Sequence, residues 1–139
     1  PGGQHRNKVE TAVWLTHRAT GVTASAGERR SQAENLTVAL RRLRLNLALE
    51  VRTTWAGPSQ RWQARCRGGR LTVSRRHADF PALLAEALDA LQGCSADVKQ
   101  AAQRLECTPS QLVRLLRGEP RALQAVNRQR REEGLPPLR

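Results

Sequence analysis

Methionine and tyrosine are both missing, phenylalanine occurs once, and aromatic residues make up 3% of the 139-residue chain, so any core has to be assembled from Leu, Val and Ala. A chain of that length holds one ordinary domain or two small ones. It has no run of about 18 apolar residues to span a bilayer, and no basic segment followed by an apolar one that reads as a signal peptide, so a cytoplasmic location is expected and a membrane partner is not. The three cysteines, Cys66, Cys94 and Cys107, are odd in number and far apart. They lack CxxC spacing and nearby histidines, which argues against a disulfide framework and a zinc site. Cys94 and Cys107 fall beside helical apolar runs and are expected as buried free thiols, and no metal or cofactor is expected. With no initiating methionine and an opening Pro1, the chain reads as a piece of a longer product.

Acidic residues are scarce as well: 12 Asp and Glu stand against 24 Lys and Arg, a formal net charge of +12 with a pI near 11.6. Such an excess points to a polyanion as partner, nucleic acid before an anionic surface. It is concentrated early, with 13 basic and 4 acidic residues in 1–70 against 11 and 8 in 71–139.

Pattern divides the chain into three regions. In the first, residues 1–52, Val13-Trp14-Leu15-Thr16-His17 and Val22-Thr23-Ala24-Ser25-Ala26 flank the turn residues Ala19-Thr20-Gly21 and predict a hairpin. Ser31 with Glu34 forms a capping box, and Leu36, Leu40, Leu43 and Leu47 recur at helical spacing to predict a helix to about Arg52, with Arg41, Arg42 and Arg44 facing solvent or phosphate. The second region, 53–80, reads as a basic linker with a short strand at Arg70–Val73. Trp55 and Trp62 are open to stacking on RNA bases or, as the commoner use of tryptophan, to anchoring the linker on a surface.

The third region, 81–139, reads as three or four helices with a basic C-terminal end. Pro81 opens the first, Leu83, Leu84, Ala87, Leu88 and Leu91 face inward, and Gly93 stops it. Ser95 is expected to open the second, which buries Val98, Ala101, Ala102 and Leu105. Thr108 with Gln111 caps a third that runs through Leu112, Val113, Leu115 and Leu116 to Gly118, and the pair has the look of a helix-turn-helix. Residues 81–127 carry five basic and five acidic residues, which argues against autonomous operator binding and leaves packing, protein docking and recognition of messenger or ribosomal RNA open for this module.

The chemistry lies at the start. Pro-Gly-Gly alone is a turn signal, but here Gly2-Gly3-Gln4 is followed by Asn7-Lys8, Ala12-Val13, Leu15-Thr16-His17, Thr20-Gly21, Glu28-Arg29-Arg30-Ser31-Gln32 and Asn35. Over residues 1–52 that order resembles the catalytic domain of class I peptide-chain release factors and the related ribosome-rescue hydrolases. Trp14 departs from the pattern, standing where the family commonly has a basic or polar residue.

The resemblance implies an α+β fold, a small antiparallel sheet packed on one long helix, with a further strand upstream of Pro1. It also implies hydrolysis of the peptidyl-tRNA ester in the ribosomal peptidyl transferase centre, with the ribosome and peptidyl-tRNA as partners. Nothing in residues 53–139 resembles the stop-codon tripeptide of standard release factors, so codon-independent rescue by a monomer is expected. The C-terminal region, however, reads as a folded helical module where the rescue branch has a plain basic tail, and messenger RNA is a candidate partner of that module. Gly2 and Gly3, lacking Cβ, let the backbone approach the tRNA terminus. The resemblance makes the Gln4 backbone N–H the donor to the developing oxyanion, and the neutral Gln4 side chain can order the attacking water. His5, Arg6, Asn7, Lys8, Arg29, Arg30, Ser31, Gln32 and Asn35 are the expected RNA-binding and loop-holding residues, and Ser31 has equal claim to a pure N-cap role. His5 has no carboxylate neighbour to orient it as a base. The competing reading is a helix-turn-helix regulator whose first half only contacts RNA.

Overall fold

The computed structural model describes residues 10–139, and the chain divides into two compact units between Val51 and Arg52. Strands and helices together give the α+β composition expected.

In the first unit, β1 (Val13–Thr16) and β2 (Thr23–Ala26) pair antiparallel, with Val13 opposite Ala26 and Thr16 opposite Thr23. Turn chemistry closes the hairpin: His17 N donates to Val22 O at 2.8 Å, Gly21 N donates to His17 O at 2.7 Å, and Gly21 sits at φ +75°, a region that penalises a Cβ. Both strands pack on α1 (Gln32–Glu50), whose N-cap is Ser31, as its sequence predicts; the Ser31 hydroxyl accepts from Glu34 N at 3.0 Å.

The buried face of α1 differs from the leucine stripe. Asn35, Ala39, Leu43 and Ala48 are buried, whereas Leu36 and Leu40 remain 42% and 38% exposed. Leu43 of the predicted row is buried as expected, but a one-residue step turns a helix by about 100°, and Asn35 and Ala39 take the interior places expected for Leu36 and Leu40.

The second unit contains α2 (Gln60–Arg65), β3 (Cys66–Arg67), β4 (Arg70–Leu71), α3 (Phe80–Gly93), α4 (Val98–Arg104), α5 (Pro109–Arg117) and α6 (Pro120–Glu132). Residues 53–80, expected as a linker, are built into it. Trp62 has no exposed surface and its Nε1 donates to Leu105 O at 2.7 Å. Trp55 Nε1 donates to Glu86 Oε2 at 3.1 Å, and the Arg104 guanidinium lies 4.8 Å from the Trp55 ring centroid. Asp89 on α3 accepts from Thr53 N at 3.1 Å and Thr53 Oγ1 at 2.9 Å and pairs with Arg52 at 3.2 Å. Both tryptophans therefore anchor this segment to the helices.

The apolar rows of α3, α4 and α5 are buried as their spacing predicts: Leu83, Leu84, Leu91, Ala101, Ala102, Leu105, Leu112 and Leu116 lie inside. The helix boundary at Ser95 is corrected. Ser95 and Ala96 take positive φ in the turn that closes α3, and Asp97 is the N-cap of α4, its carboxylate accepting from Gln100 N at 3.1 Å. After α4, Glu106 takes φ +61° while Cys107 N donates to Ala102 O at 3.0 Å, a left-handed helix stop usually given to glycine. Thr108 Oγ1 caps α5 by accepting from Gln111 N at 3.2 Å, but the Gln111 side chain turns away from the cap and accepts from Leu71 N at 3.2 Å. Among the described residues no helix is long and apolar enough to cross a membrane.

Candidate functional site

Gly2, Gly3 and Gln4, together with His5, Arg6, Asn7 and Lys8, lie outside the described residues. What the structure shows is the platform on which the chain leaves that segment. Its centre is Asn35, in the first turn of α1 and without exposed surface. Asn35 Oδ1 accepts from Arg29 N at 3.0 Å, and Nδ2 donates to Thr11 O at 2.9 Å and to Arg29 O at 3.1 Å. Thr11 Oγ1 donates to the same Arg29 carbonyl at 3.1 Å. One amide side chain thus fastens the residue just ahead of β1 to the loop that follows β2, using both of its polar atoms. In a low-dielectric position each of those bonds matters more, because the groups it satisfies have no water to turn to.

With no exposed surface, Asn35 acts as an internal clamp, the loop-holding part of its expectation, and is not itself an exposed RNA contact. Arg29, Arg30, Ser31 and Gln32 are brought together beside it, all exposed, at the entry to α1. Ser31 fills the N-cap role. Arg29 is fixed through its backbone N–H and carbonyl.

The loop is braced from the other side by Glu28 and Arg42. The Arg42 guanidinium donates to both Glu28 carboxylate oxygens and to Ser25 O, the last at 2.9 Å, and Gly27 N donates to Glu28 Oε1 at 3.0 Å. The hydrogen bond from Arg42, reinforced by the Gly27 and Glu28 backbone N–H groups, holds the Glu28 carboxyl down to about 2. Such a weak base has little tendency to take a proton near neutrality, so this carboxylate serves as a strut. It also neutralises Arg42, leaving Arg29 and Arg30 as the surplus positive charge of the loop. His17, with Nδ1 2.8 Å from Thr20 Oγ1, belongs to the hairpin turn.

Sequence reasoning missed Thr11, Glu28 and Arg42 as parts of this platform. Their partners lie 14 to 24 residues away, and no periodic pattern marks such pairs. The cysteines behave as expected: all three are free, and burial pushes Cys107 up to about 12 and raises Cys66 as well, so both thiols stay protonated. Among the described residues no cluster of His, Cys, Asp and Glu is arranged to hold a metal ion.

Gly2-Gly3-Gln4 in the sequence and a hairpin laid on one long helix fit the GGQ-domain class of release factors. The comparisons agree. Residues 1–81 match the family described as RF-1 domain, and the chain belongs to that family. Peptide chain release factor 1 of Ureaplasma parvum serovar 3 is 50% identical over 46 residues, 33% of this chain and 13% of that protein. The chloroplastic peptide chain release factor PrfB1 of Arabidopsis thaliana is 56% identical over 46 residues, 33% of this chain and 10% of that protein. Peptide chain release factor 1 of Acidiphilium cryptum is 44% identical over 55 residues, 40% and 16% respectively. The similarity therefore spans a small part of each relative's length. No solved structure matches the chain.

Proposed function

We propose that this chain hydrolyses the ester of peptidyl-tRNA in the peptidyl transferase centre of the ribosome, with Gly2, Gly3 and Gln4 as the reacting segment. The observation that carries the reading is the Gly-Gly-Gln string inside an RF-1 match whose scaffold holds residue 11 to the start of α1 through Asn35. Water adds to the ester carbonyl carbon, the carbonyl oxygen becomes an oxyanion facing the Gln4 N–H, and collapse breaks the bond to the tRNA ribose oxygen, which leaves with a proton. A preorganised N–H at that point supplies on the order of 3 kcal/mol of transition-state stabilisation. Gly2 and Gly3 keep the approach free of side chains, and the Gln4 amide orders the water without acting as a base. Arg6, Lys8, Arg29 and Arg30 neutralise ribosomal RNA phosphates around the loop, so binding weakens steeply with salt.

The finer reading is release without a codon. The test measures peptide release from ribosomes carrying peptidyl-tRNA and a stop codon, a sense codon or an empty A site, with wild type, Gly3→Ala and Gln4→Ala. Equal release in all three settings supports rescue; release with the stop codon alone rejects it, and release untouched by both substitutions rejects the hydrolase.

A second reading has one observation in its favour. α4 and α5 are contacting helices joined by a short turn in which Glu106 is left-handed, and Ala101 and Ala102 on α4 are buried, features a helix-turn-helix would need. A regulator of that kind binds one duplex DNA sequence in preference to others and releases no peptide.

A further inference from the structure

The second unit is far from neutral once its true extent is known. Residues 52–139 hold sixteen Lys and Arg against eight Asp and Glu, and the excess is not evenly spread. Residues 66–76 contain Arg67, Arg70, Arg75 and Arg76, and α5 contains Arg114 and Arg117; all six are exposed, and neither segment has a single carboxylate. The rest of the unit holds ten basic and eight acidic residues.

The fold joins these two segments side by side. Thr108 N donates to Gly69 O at 3.0 Å, Gly69 bridges to Cys107, and Gln111 Oε1 accepts from Leu71 N at 3.2 Å, so the β3–β4 hairpin is clipped to the first turn of α5. Between them lies a cleft of about 220 Å³ lined by Leu71, Val73, Ser74, Arg75, Gln111 and Arg114. Carboxylates elsewhere in the unit are held by other partners. Asp79 pairs with Arg61 and Arg65, Asp89 with Arg52, and the buried Glu119, which also attracts Arg75, with Arg121 at 3.0 Å. Glu106 is exposed at the turn beside Cys66, whose Sγ donates to its carbonyl at 3.3 Å. Arg117 is turned toward the Arg139 carbonyl and stands at the margin.

We propose that the β3–β4 hairpin and α5 form a second RNA-binding face, on which Arg67, Arg70, Arg75 and Arg114 grip backbone phosphates of structured ribosomal RNA. A polyanion fits this face better than a protein does. Among the described residues the large hydrophobic side chains left exposed are Trp14, Leu36 and Leu40, so none lies on this face to serve as the apolar anchor that protein interfaces rely on. Arg75 and Arg114 line the cleft and Arg67 and Arg70 are exposed on the adjoining hairpin, and guanidinium groups suit phosphate oxygens, which they bind in pairs. The choice of ribosomal RNA over other nucleic acid rests on the proposed function; the face itself does not.

The test titrates ribosomes with the full chain over a range of KCl concentrations, comparing wild type with Arg70→Gln/Arg114→Gln and with a control, Arg128→Gln/Arg131→Gln, on α6. Each lost phosphate contact lowers the slope of log affinity against log salt by about one, so the first pair is expected to bind about tenfold or more weakly with a slope shallower by about two. The Arg70→Lys/Arg114→Lys variant restores the slope if charge is what counts, which guards against a folding defect. Unchanged binding by the first pair, or an equal loss in the control, overturns the face. So does tighter, Arg70- and Arg114-dependent binding to a DNA duplex of about 20 base pairs than to ribosomes. Peptide release separates this from the hydrolase: ribosome binding that needs the arginines in a chain that releases nothing leaves the face standing and removes the hydrolase, and the reverse result removes the face alone.

Discussion

The two units are held together by different means. The first has a shallow interior of Val22, Ala26, Ala39, Leu43 and Ala48, leaves Leu36 and Leu40 partly exposed, and depends on a single buried amide, Asn35, to join its loops. The second closes over Trp62, Phe80 and rows of leucines from α3, α4 and α5, and its polar bonds tie a formerly unrecognised segment to that core. On the function proposed above, the first unit presents a short segment to an RNA site and so needs loops fixed at their base, which hydrogen bonds hold more sharply than a few alanines do. A unit that offers charge from an exterior face needs a rigid interior behind it.

The largest effect expected is in the deeper core. Trp62→Ala removes a fully buried ring and leaves the Leu105 carbonyl without its donor, and should destabilise the second unit by about 3–5 kcal/mol, read from denaturant melts followed by amide exchange. A loss below about 1 kcal/mol would break the contrast. Next comes Asn35→Ala, which strands the Arg29 N–H and the Thr11 carbonyl, for about 2–3 kcal/mol, with lost exchange protection at the entry to α1. Release should fall with it if the clamp positions the reacting segment.

Smaller and opposite in sign is Glu106→Gly. A non-glycine residue at φ +61° pays for a crowded Cβ, and relieving it should stabilise the second unit by up to about 1 kcal/mol, visible as a higher melting temperature. The smallest effect is from pH. The Glu28 pKa is lowered in the folded chain to about 2, so its pairing with Arg42 stabilises the first unit fully above the ordinary value of 4.5 and is lost as pH falls through 2. Glu28→Gln should lower the melting temperature slightly at neutral pH and flatten the acid limb of its profile, so that the variant and wild-type curves converge as pH falls from about 4 toward 2.

Local chemistry was legible in the sequence. Ser31 ahead of Glu34, Thr108 ahead of Pro109, and the leucine rows of α3 and α5 depend on neighbours within one or two turns. Other features were not, for separate reasons. α2 spans six residues and β3 two, too short for any period to show, whereas the short strand read at Arg70–Val73 forms as β4 over Arg70–Leu71. Left-handed turns at Ser95, Ala96 and Glu106 carry no glycine to announce them. Burial of Asn35 runs against hydropathy and moved the interior face of α1 away from Leu36 and Leu40. The same limits governed the site. Gly2-Gly3-Gln4 was readable as a string, whereas its platform of Thr11, Asn35 and Arg29 needed the fold, and so did the arginine face, whose two halves lie some forty residues apart.

The central claim is that the Gln4 backbone N–H meets the oxyanion. Single-turnover peptide release with Gln4→Pro, which lacks that N–H, compared with Gln4→Ala, which keeps it, tests the claim most directly. At ribosome concentrations that saturate binding, the proline variant should lose about a hundredfold or more in rate and the alanine variant distinctly less. Release by Gln4→Pro at the wild-type rate would contradict it.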